Sequence, residues 1–107
     1  MIRMSRASAE NLYSIHKGKP FYETLVSYIT SSPLIVLVIE GYRAVSVVRK
    51  LLGATFGYDA EPGTIRGDFG CSKGMNLVHG SDSSESAERE IPLFFTTQEI
   101  VEIRRCD

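Results

Sequence analysis

Apolar positions that recur every three to four residues predict helices in two parts of the chain. After Pro20 they fall at i, i+4, i+7 and i+8, in a single stripe made of Phe21, Leu25, Tyr28 and Ile29. This spacing indicates a helix with one buried face, and Pro20 suits the first position of such a helix. Residues 42–52 carry a second stripe, and Gly53 is a residue type that commonly ends a helix.

Capping residues predict shorter helical segments elsewhere. Ser5 or Ser8 can cap a helix that runs through residues 9–13. Residues 83–91 predict another helix, whose extent we expect Pro92 to limit because a proline removes a helical hydrogen bond. Thr96, followed three residues later by a glutamate, predicts a capping box and a final helical turn.

Three segments have the composition of strands. Residues 34–39 are continuously apolar and rich in β-branched side chains, which predicts a strand buried on both faces. Residues 75–78 predict a short strand, and residues 1–4 predict a strand remnant. Residues 53–74 hold six glycines and one proline and predict a long irregular loop, which in a compact domain usually serves a function.

Size and charge narrow the class of protein. The length of 107 residues predicts one domain, residues 1–107. A net charge of −1 argues against a specific nucleic-acid surface, which needs a basic excess.

The longest apolar run, residues 33–39, is too short to cross a bilayer, and residues 1–10 lack a signal-peptide pattern. Cys71 and Cys106 have no metal-type spacing and predict reduced thiols in a cytoplasmic protein.

Candidate chemistry centres on residues 76–82, where His79 and Gly80 join a short apolar run to residues that can start a helix. Backbone N–H groups at a helix start suit an anionic ligand. A histidine beside them can move a proton or accept a phosphoryl group. Glu90, on the helix that follows, can hold the imidazole in one tautomer.

Arginine and threonine side chains around the glycine-rich loop indicate a polyphosphate ligand. The planar guanidinium groups of Arg49 and Arg66 match phosphate oxygens bidentately, and Thr55 lies between them in the sequence. Residues 63–70 lack the Gly-Lys-Ser/Thr ending of a P-loop. The phosphate cradle must therefore be of another kind.

Each candidate also has an ordinary structural interpretation, which the residues alone leave open. A lone histidine such as His79 is more often structural than catalytic, and His16 is expected to face solvent beside Lys17. Arg49 suits the end of a helix, where the dipole favours a positive charge. The other interpretations are a loop salt bridge for Arg66, core packing for Leu25, a turn closed by Thr55, and a surface pair of Glu90 with Arg89.

Four segments taken together resemble the nucleoside diphosphate kinase family. Residues 76–83 (Asn-Leu-Val-His-Gly-Ser-Asp-Ser) and 85–91 (Glu-Ser-Ala-Glu-Arg-Glu-Ile) are similar to the family signature almost residue for residue. Residues 62–70 resemble its second hallmark, and residues 17–22 and 49–55 fall in register. The resemblance covers essentially the whole chain.

The resemblance implies an α+β sandwich, a ferredoxin-like fold with an antiparallel sheet, and a ping-pong kinase. The γ-phosphoryl group of a nucleoside triphosphate such as ATP or GTP would pass to His79, giving a pros-phosphohistidine, and then to a nucleoside diphosphate such as ADP. The resemblance also implies roles for other residues. Glu90 and Ser81 would support His79, Tyr13 would lie near the transferring phosphate, and the phosphates would be bound by Arg49, Thr55 and Arg66. Asn76 would bond the sugar 3′-hydroxyl, and the base would stack on Phe21, with Leu25 nearby.

The resemblance further implies Mg²⁺ carried on the phosphates, with no direct protein ligand. Any contact of the ion with Asp82 would run through water. The family also implies a homo-oligomer, a dimer-based tetramer or hexamer, and no membrane.

Some elements of the family's domain have no counterpart in these 107 residues. They are a first strand with a Lys-Pro-Asp motif, whose lysine belongs to the family's active site, the first helix, and most of the second strand, whose tail residues 1–4 resemble. The first strand lies between those of residues 34–39 and 75–78 in the family's sheet. We therefore expect an open core, and a chain that folds poorly alone or takes a partner strand. The alternatives are a truncated, non-catalytic nucleotide-binding or assembly subunit, and a piece of a longer protein.

Overall fold

Five α-helices and three short 3₁₀ turns form the regular secondary structure of the described residues. The computed structural model describes residues 1–72 and 75–104. The helices are α1 (Arg6–Leu12), α2 (Tyr22–Ile29), α3 (Ala44–Leu52), α4 (Ile65–Phe69) and α5 (Ser84–Phe94), and the turns are Ser14–His16, Gly57–Asp59 and Thr97–Glu99. Cys71 is an exposed free thiol, as predicted. Cys106, which was predicted to be a reduced thiol, lies outside the described residues, and so do the last two residues of the predicted loop.

A small hydrophobic core holds α1, α2 and α5 together. Its buried members are Met4, Ala9, Leu12, Tyr13 and Val26. Leu25, Ile29, Leu34, Leu93 and Phe94 pack against them while partly buried. The core places the end of α1 beside α5, and that junction carries part of the candidate site.

The predicted helices are present, with corrections at Pro20 and Pro92. Helix α2 begins at Tyr22 after an N-cap at Phe21, so Pro20 precedes the helix and does not occupy its first position. Helix α5 continues through Pro92 to Phe94, so the expected end at Ile91 is wrong. Proline removes only the bond to the carbonyl four residues earlier, and that carbonyl belongs to Glu88 on an exposed face of the helix. The capping pattern at Thr96 is confirmed, because the Glu99 carboxylate accepts from the Thr96 N–H at 2.9 Å.

The predicted sheet does not form among the described residues. Its only β-pairing there is one antiparallel bridge between Ile2 and Leu34. Residues 35–39 and 75–78 have no strand structure, and Ile35 is 73 % exposed where burial on both faces was expected. A strand exists only when a neighbour takes its hydrogen bonds, and no described segment pairs with these two.

The glycine-rich loop is more regular than expected. It contains a 3₁₀ turn and helix α4. The hydroxyl of Thr64 caps α4 by accepting from the Gly67 N–H at 3.0 Å, and the Gly63 N–H donates to Asp68 at 2.8 Å. These two local bonds convert part of the predicted loop into a helix.

An open apolar groove lies between the two segments predicted as strands. It has a volume of about 710 Å³ and is lined by residues 33–39 on one side and residues 76–81 on the other. Leu37 is 63 % exposed there. In the part of the chain that the structure describes, no helix is long and apolar enough to cross a membrane.

Candidate active site

A hydrogen bond between His79 and Glu90 forms the centre of the candidate site. Nε2 of the imidazole lies 2.6 Å from Oε1 of the carboxylate. Glu90 is buried on α5, whereas the His79 side chain is 44 % exposed. Since a carboxylate accepts hydrogen bonds, Nε2 carries the proton in the neutral ring and Nδ1 keeps its lone pair. The contact leaves Nδ1 outside the hydrogen bond with Glu90.

Tyr13, at the end of α1, packs edge-on against His79. The two ring centroids are 5.9 Å apart and the planes lie at 88°. Burial first, and then the charge of Glu90, raises the pKa of Tyr13 to about 12. Its phenol is therefore protonated near neutral pH and can donate a hydrogen bond beside the imidazole.

His16 belongs to the same cluster, and the sequence prediction of an exposed His16 is wrong. The His16 ring lies 5.4 Å from Phe21 and 6.3 Å from Tyr13. Its Nδ1 is buried and has no hydrogen-bond partner among the described residues. Burial, followed by the charge of Lys19, lowers the pKa of His16. The neighbouring Lys17 suggested that His16 is exposed to solvent. The i, i+3 spacing from Tyr13 was the sequence signal for the contact between the Tyr13 and His16 rings.

Phe21 stands at the edge of the cluster with much of its ring accessible. It is 46 % exposed, and Lys19 Nζ lies 5.8 Å from its ring centroid. Leu25, one turn further along α2, packs against the core and also lines the groove. Phe21 can thus present a flat apolar face, while Leu25 mainly supports it.

A second side of the site is built from α3 and the start of α5. Arg49 Nη1 donates to the Gly80 carbonyl at 2.9 Å. A Cβ at Gly80 would lie 2.8 Å from Leu52 Cδ1, so a larger residue there would require the end of the Leu52 side chain to shift. The Ser86 hydroxyl donates to Asp82 at 2.6 Å and lowers the pKa of that carboxyl, and the charge of Arg49 acts in the same direction.

Arg66 makes backbone contacts that the sequence interpretations did not include. It is buried, with 5 % of its surface exposed. Its three nitrogens donate to carbonyl oxygens of Asn76, Gly53 and Val78, at 3.1, 3.0 and 2.6 Å. Burial first, and then the charge of Arg49, lowers the pKa of Arg66. The guanidinium thus joins the loop after α3 to the segment before His79.

The structure brings together most, though not all, of the residues predicted for the site. Six of them line the same groove: Tyr13, Leu25, Asn76, His79, Ser81 and Glu90. Arg49 reaches this group through Gly80. Thr55 is exposed, two residues beyond the Gly53 carbonyl that Arg66 binds. Phe21 joins through His16.

Arg89 was assigned only a surface role from the sequence and also shapes the site. Its guanidinium donates to the backbone carbonyls of Asn11 and Leu12, at 3.4 and 3.2 Å. Both carbonyls lie at the end of α1, next to Tyr13. Arg89 therefore fixes α5, which carries Glu90, against the helix end that carries Tyr13.

The described residues offer a divalent ion little more than one carboxylate. They contain no group of three or more His, Cys, Asp or Glu side chains placed to hold a metal. Asp82 is exposed, and the lowered pKa keeps it ionised. A Mg²⁺ ion typically uses one or two carboxylates together with substrate phosphates and waters. The residues present fit an ion that arrives on a nucleotide.

Comparison with known proteins gives one consistent result. The family model described as nucleoside diphosphate kinase matches residues 1–100. The nucleoside diphosphate kinase of Archaeoglobus fulgidus is 54 % identical over 107 residues, which are 100 % of this chain and 71 % of that protein. That of Pelotomaculum thermopropionicum is 56 % identical over 102 residues, 95 % of this chain and 68 % of the relative.

Solved structures agree with the sequence relatives. The halophilic nucleoside diphosphate kinase from Halobacterium salinarum, in complex with CDP, superimposes with a TM-score of 0.91 at 48 % identity, covering 98 % of this chain and 70 % of that one. The enzyme from Aquifex aeolicus gives 0.90 at 39 % identity, covering 94 % and 73 %. The sequence-based prediction is confirmed: this chain belongs to the nucleoside diphosphate kinase family.

Proposed function

We propose that the chain transfers the γ-phosphoryl group of a nucleoside triphosphate to a nucleoside diphosphate through a phosphohistidine at His79. The observation that carries the proposal is the 2.6 Å contact of Nε2 with Glu90. It leaves Nδ1 free as the nucleophile, and Nδ1 is the pros nitrogen. Membership of the family supports this chemistry.

The transfer occurs in two half-reactions at one site. Nδ1 forms a bond to the γ-phosphorus while the bond from that phosphorus to the β-γ bridging oxygen breaks, and the nucleoside diphosphate leaves with the electron pair. A second diphosphate binds and takes the phosphoryl group by the reverse step. Glu90 stabilises the positive charge that develops on the imidazole, as a buried carboxylate does for a catalytic histidine elsewhere.

Residues around His79 hold the phosphates. Arg49 and Thr55 bind them, and the neutral phenol of Tyr13 donates toward the γ-phosphoryl oxygens. Ser81 supports the turn after His79. Arg66 donates three of its five N–H groups to carbonyls, which leaves one N–H on each terminal nitrogen for the phosphate contact that the family resemblance implies.

Phe21 and Asn76 hold the nucleoside. The exposed ring of Phe21 stacks on the base, with Leu25 beside it, and stacking tolerates any base because each has a π-face. Asn76 binds the 3′-hydroxyl from the groove wall. The CDP complex of the Halobacterium relative is consistent with a nucleotide ligand.

Mg²⁺ enters this scheme on the nucleotide. A bound ion would neutralise phosphate charge, and Asp82 would be the side chain to hold it, through water. The hydrogen bond from Ser86, with smaller contributions from Ser83 and the charge of Arg49, lowers the pKa of the Asp82 carboxyl.

Other parts of the prediction are retained here as proposals. They are one domain over residues 1–107, a ferredoxin-like fold that lacks the first strand, the first helix and most of the second strand, a dimer-based homo-oligomer and a cytoplasmic location. The alternative function, a non-catalytic nucleotide-binding or assembly subunit, is less favoured because the relatives are named as kinases over the whole matched length.

Initial-rate kinetics test the proposal. Transfer from ATP to a second nucleoside diphosphate is measured over a matrix of both concentrations, with calorimetric titration of ADP in parallel. We expect parallel double-reciprocal lines, which are typical of ping-pong transfer, and no turnover by His79→Gln. ADP binding without turnover by the wild-type chain would instead establish the non-catalytic subunit.

A further inference from the structure

The segment that leads into His79 contains a tight turn with an unusual backbone conformation. The Val78 N–H donates to the carbonyl of Asn76, two residues earlier, at 2.8 Å. Leu77, between them, has φ +71°. A bond from residue i+2 to residue i with positive φ at the centre defines the rarer and more strained form of γ-turn.

Leucine is a poor residue for this position. Positive φ brings Cβ close to the following carbonyl oxygen, which is why glycine, and less often asparagine, occupies such sites. Leu77 is also 46 % exposed, so it lacks the full burial that would offset the strain. Strained backbone of this kind persists only where surrounding contacts fix it, and it concentrates at functional sites.

Arg66 supplies such contacts. Its Nε donates to the Asn76 carbonyl and its Nη2 to the Val78 carbonyl, so one planar guanidinium spans both ends of the γ-turn. Its Nη1 is anchored on Gly53, beyond the end of α3. The arginine is itself buried at 5 % exposure and therefore holds the turn rigidly.

The γ-turn determines the position of the His79 backbone. Val78 is the only residue between the turn centre at Leu77 and His79, and its carbonyl is one of the atoms that Arg66 holds. A change of φ at Leu77 would rotate the following peptide and displace the imidazole from Glu90, which now lies at 2.6 Å. Displacements of about 1 Å at a reacting group can cost on the order of 100-fold in rate.

We propose that the Asn76–Leu77–Val78 γ-turn, clamped by Arg66, is a positioning device that holds the His79 imidazole on Glu90 with Nδ1 facing the substrate. The proposal rests on the function proposed above for the role of Nδ1. Leu77 and Arg66 act through His79 and are positioning residues in this scheme.

Two substitutions at Leu77 separate backbone conformation from side-chain loss. Leu77→Val keeps an apolar side chain but adds β-branching, which makes positive φ a severe outlier. Leu77→Gly removes the side chain and accepts positive φ freely. Leu37→Val is the matched control, since Leu37 is an exposed leucine of the same groove without positive φ. Arg66→Lys keeps the charge but loses the planar fork.

Two readouts are needed on each variant. Nitrogen chemical shifts of the neutral His79 ring report the tautomer and need no activity, and single-turnover phosphorylation by ATP reports the reaction. We expect Leu77→Val and Arg66→Lys to mix the tautomers and to slow phosphorylation by about 10- to 100-fold. Leu77→Gly and Leu37→Val should keep the single Nε2–H tautomer and the wild-type rate.

The results distinguish the two proposals. A folded Leu77→Val variant with the wild-type tautomer and rate overturns the positioning role. If Leu77→Val does not fold, wild-type behaviour of Arg66→Lys or tautomer mixing in Leu77→Gly overturns it instead. If the wild-type chain forms no phosphohistidine while the tautomers change as expected, the proposed function fails and the positioning role stands.

Discussion

In the proposed mechanism, two residues, His79 and Glu90, carry out the chemistry. Their 2.6 Å contact joins an accessible imidazole to a buried carboxylate, so the proton position on the ring is set by the protein and not by solvent. Hydrogen bonds to charged groups contribute about 1.5–3 kcal/mol. A loss of that size in the transition state lowers a rate by roughly 10- to 150-fold.

Glu90→Gln is therefore expected to slow phosphorylation of His79 by roughly 10- to 150-fold. The amide has the same shape but no charge to stabilise the imidazolium. Quench-flow measurement of phosphoenzyme formation tests this, with Glu88→Gln as the control because Glu88 is exposed on the same helix. Equal rates for the two variants would show that the Glu90 charge is not used.

The raised pKa of Tyr13 predicts that the folded chain loses stability in alkaline solution. Its pKa is raised from 10 to about 12 by burial and by Glu90, so between those pH values the folded state holds a proton that the unfolded state has lost. Stability is fully present below pH 10 and falls as pH rises toward 12. A two-unit shift corresponds to about 2–3 kcal/mol.

Denaturant unfolding of wild type and Tyr13→Phe over this pH range measures the effect. The variant should lose less stability between pH 10 and pH 12 than the wild type does. Tyr58→Phe, at an exposed tyrosine, should follow the wild type. Identical pH profiles for wild type and Tyr13→Phe would exclude the raised pKa.

Sequence anticipated the pairing of His79 with Glu90 but missed other residue-level contacts. The pairing was predictable because one sequence signature contains both residues. The contacts of Arg66 were not, because its three carbonyl partners lie 10 to 13 residues away, and the contacts of His16 with Tyr13 and Phe21 were missed because Lys17 beside it suggested exposure to solvent. The positive φ of Leu77 was not predictable either, since leucine has no preference for that conformation.

At the scale of elements, local signals predicted helices well and strands poorly. The stripe of Phe21, Leu25 and Ile29 gives α2 because its hydrogen bonds lie within the segment. Residues 34–39 have the composition of a buried strand, but pairing needs a neighbour, and after Leu34 no described segment supplies one. The sequence did not predict helix α4. Its formation within a glycine-rich loop depends on two hydrogen bonds that the side chains of Thr64 and Asp68 accept from backbone N–H groups.

Gly67 on α4 gives a prediction at this scale. A Cβ there would lie 1.9 Å from the Glu61 carbonyl oxygen and 2.7 Å from Thr64 Oγ1. Gly67→Ala should therefore lower the free energy of unfolding by about 1–3 kcal/mol, as measured by urea titration. Gly41→Ala, which meets nothing within 4 Å and has no positive φ, should change it by less than about 0.5 kcal/mol. Equal effects would contradict the packing of α4.

At the scale of the whole molecule, the site depends on segments that are far apart in sequence. Tyr13 comes from the end of α1, Arg49 from α3, His79 from the segment before α5 and Glu90 from α5 itself. They meet beside a groove whose walls include the exposed Ile35 and Leu37. The chain spans about 70 % of the length of the relatives it matches.

Labelling of the chain by ATP shows directly whether His79 carries a phosphoryl group. The purified chain is incubated with ATP radiolabelled in the γ position, and the labelled protein is treated with acid or base and mapped by peptide. We predict a label that is lost in acid, survives in base, resides in the peptide containing His79 and is absent from His79→Gln. A label that persists in His79→Gln, or a wild-type chain that takes up none, would contradict a phosphohistidine at His79.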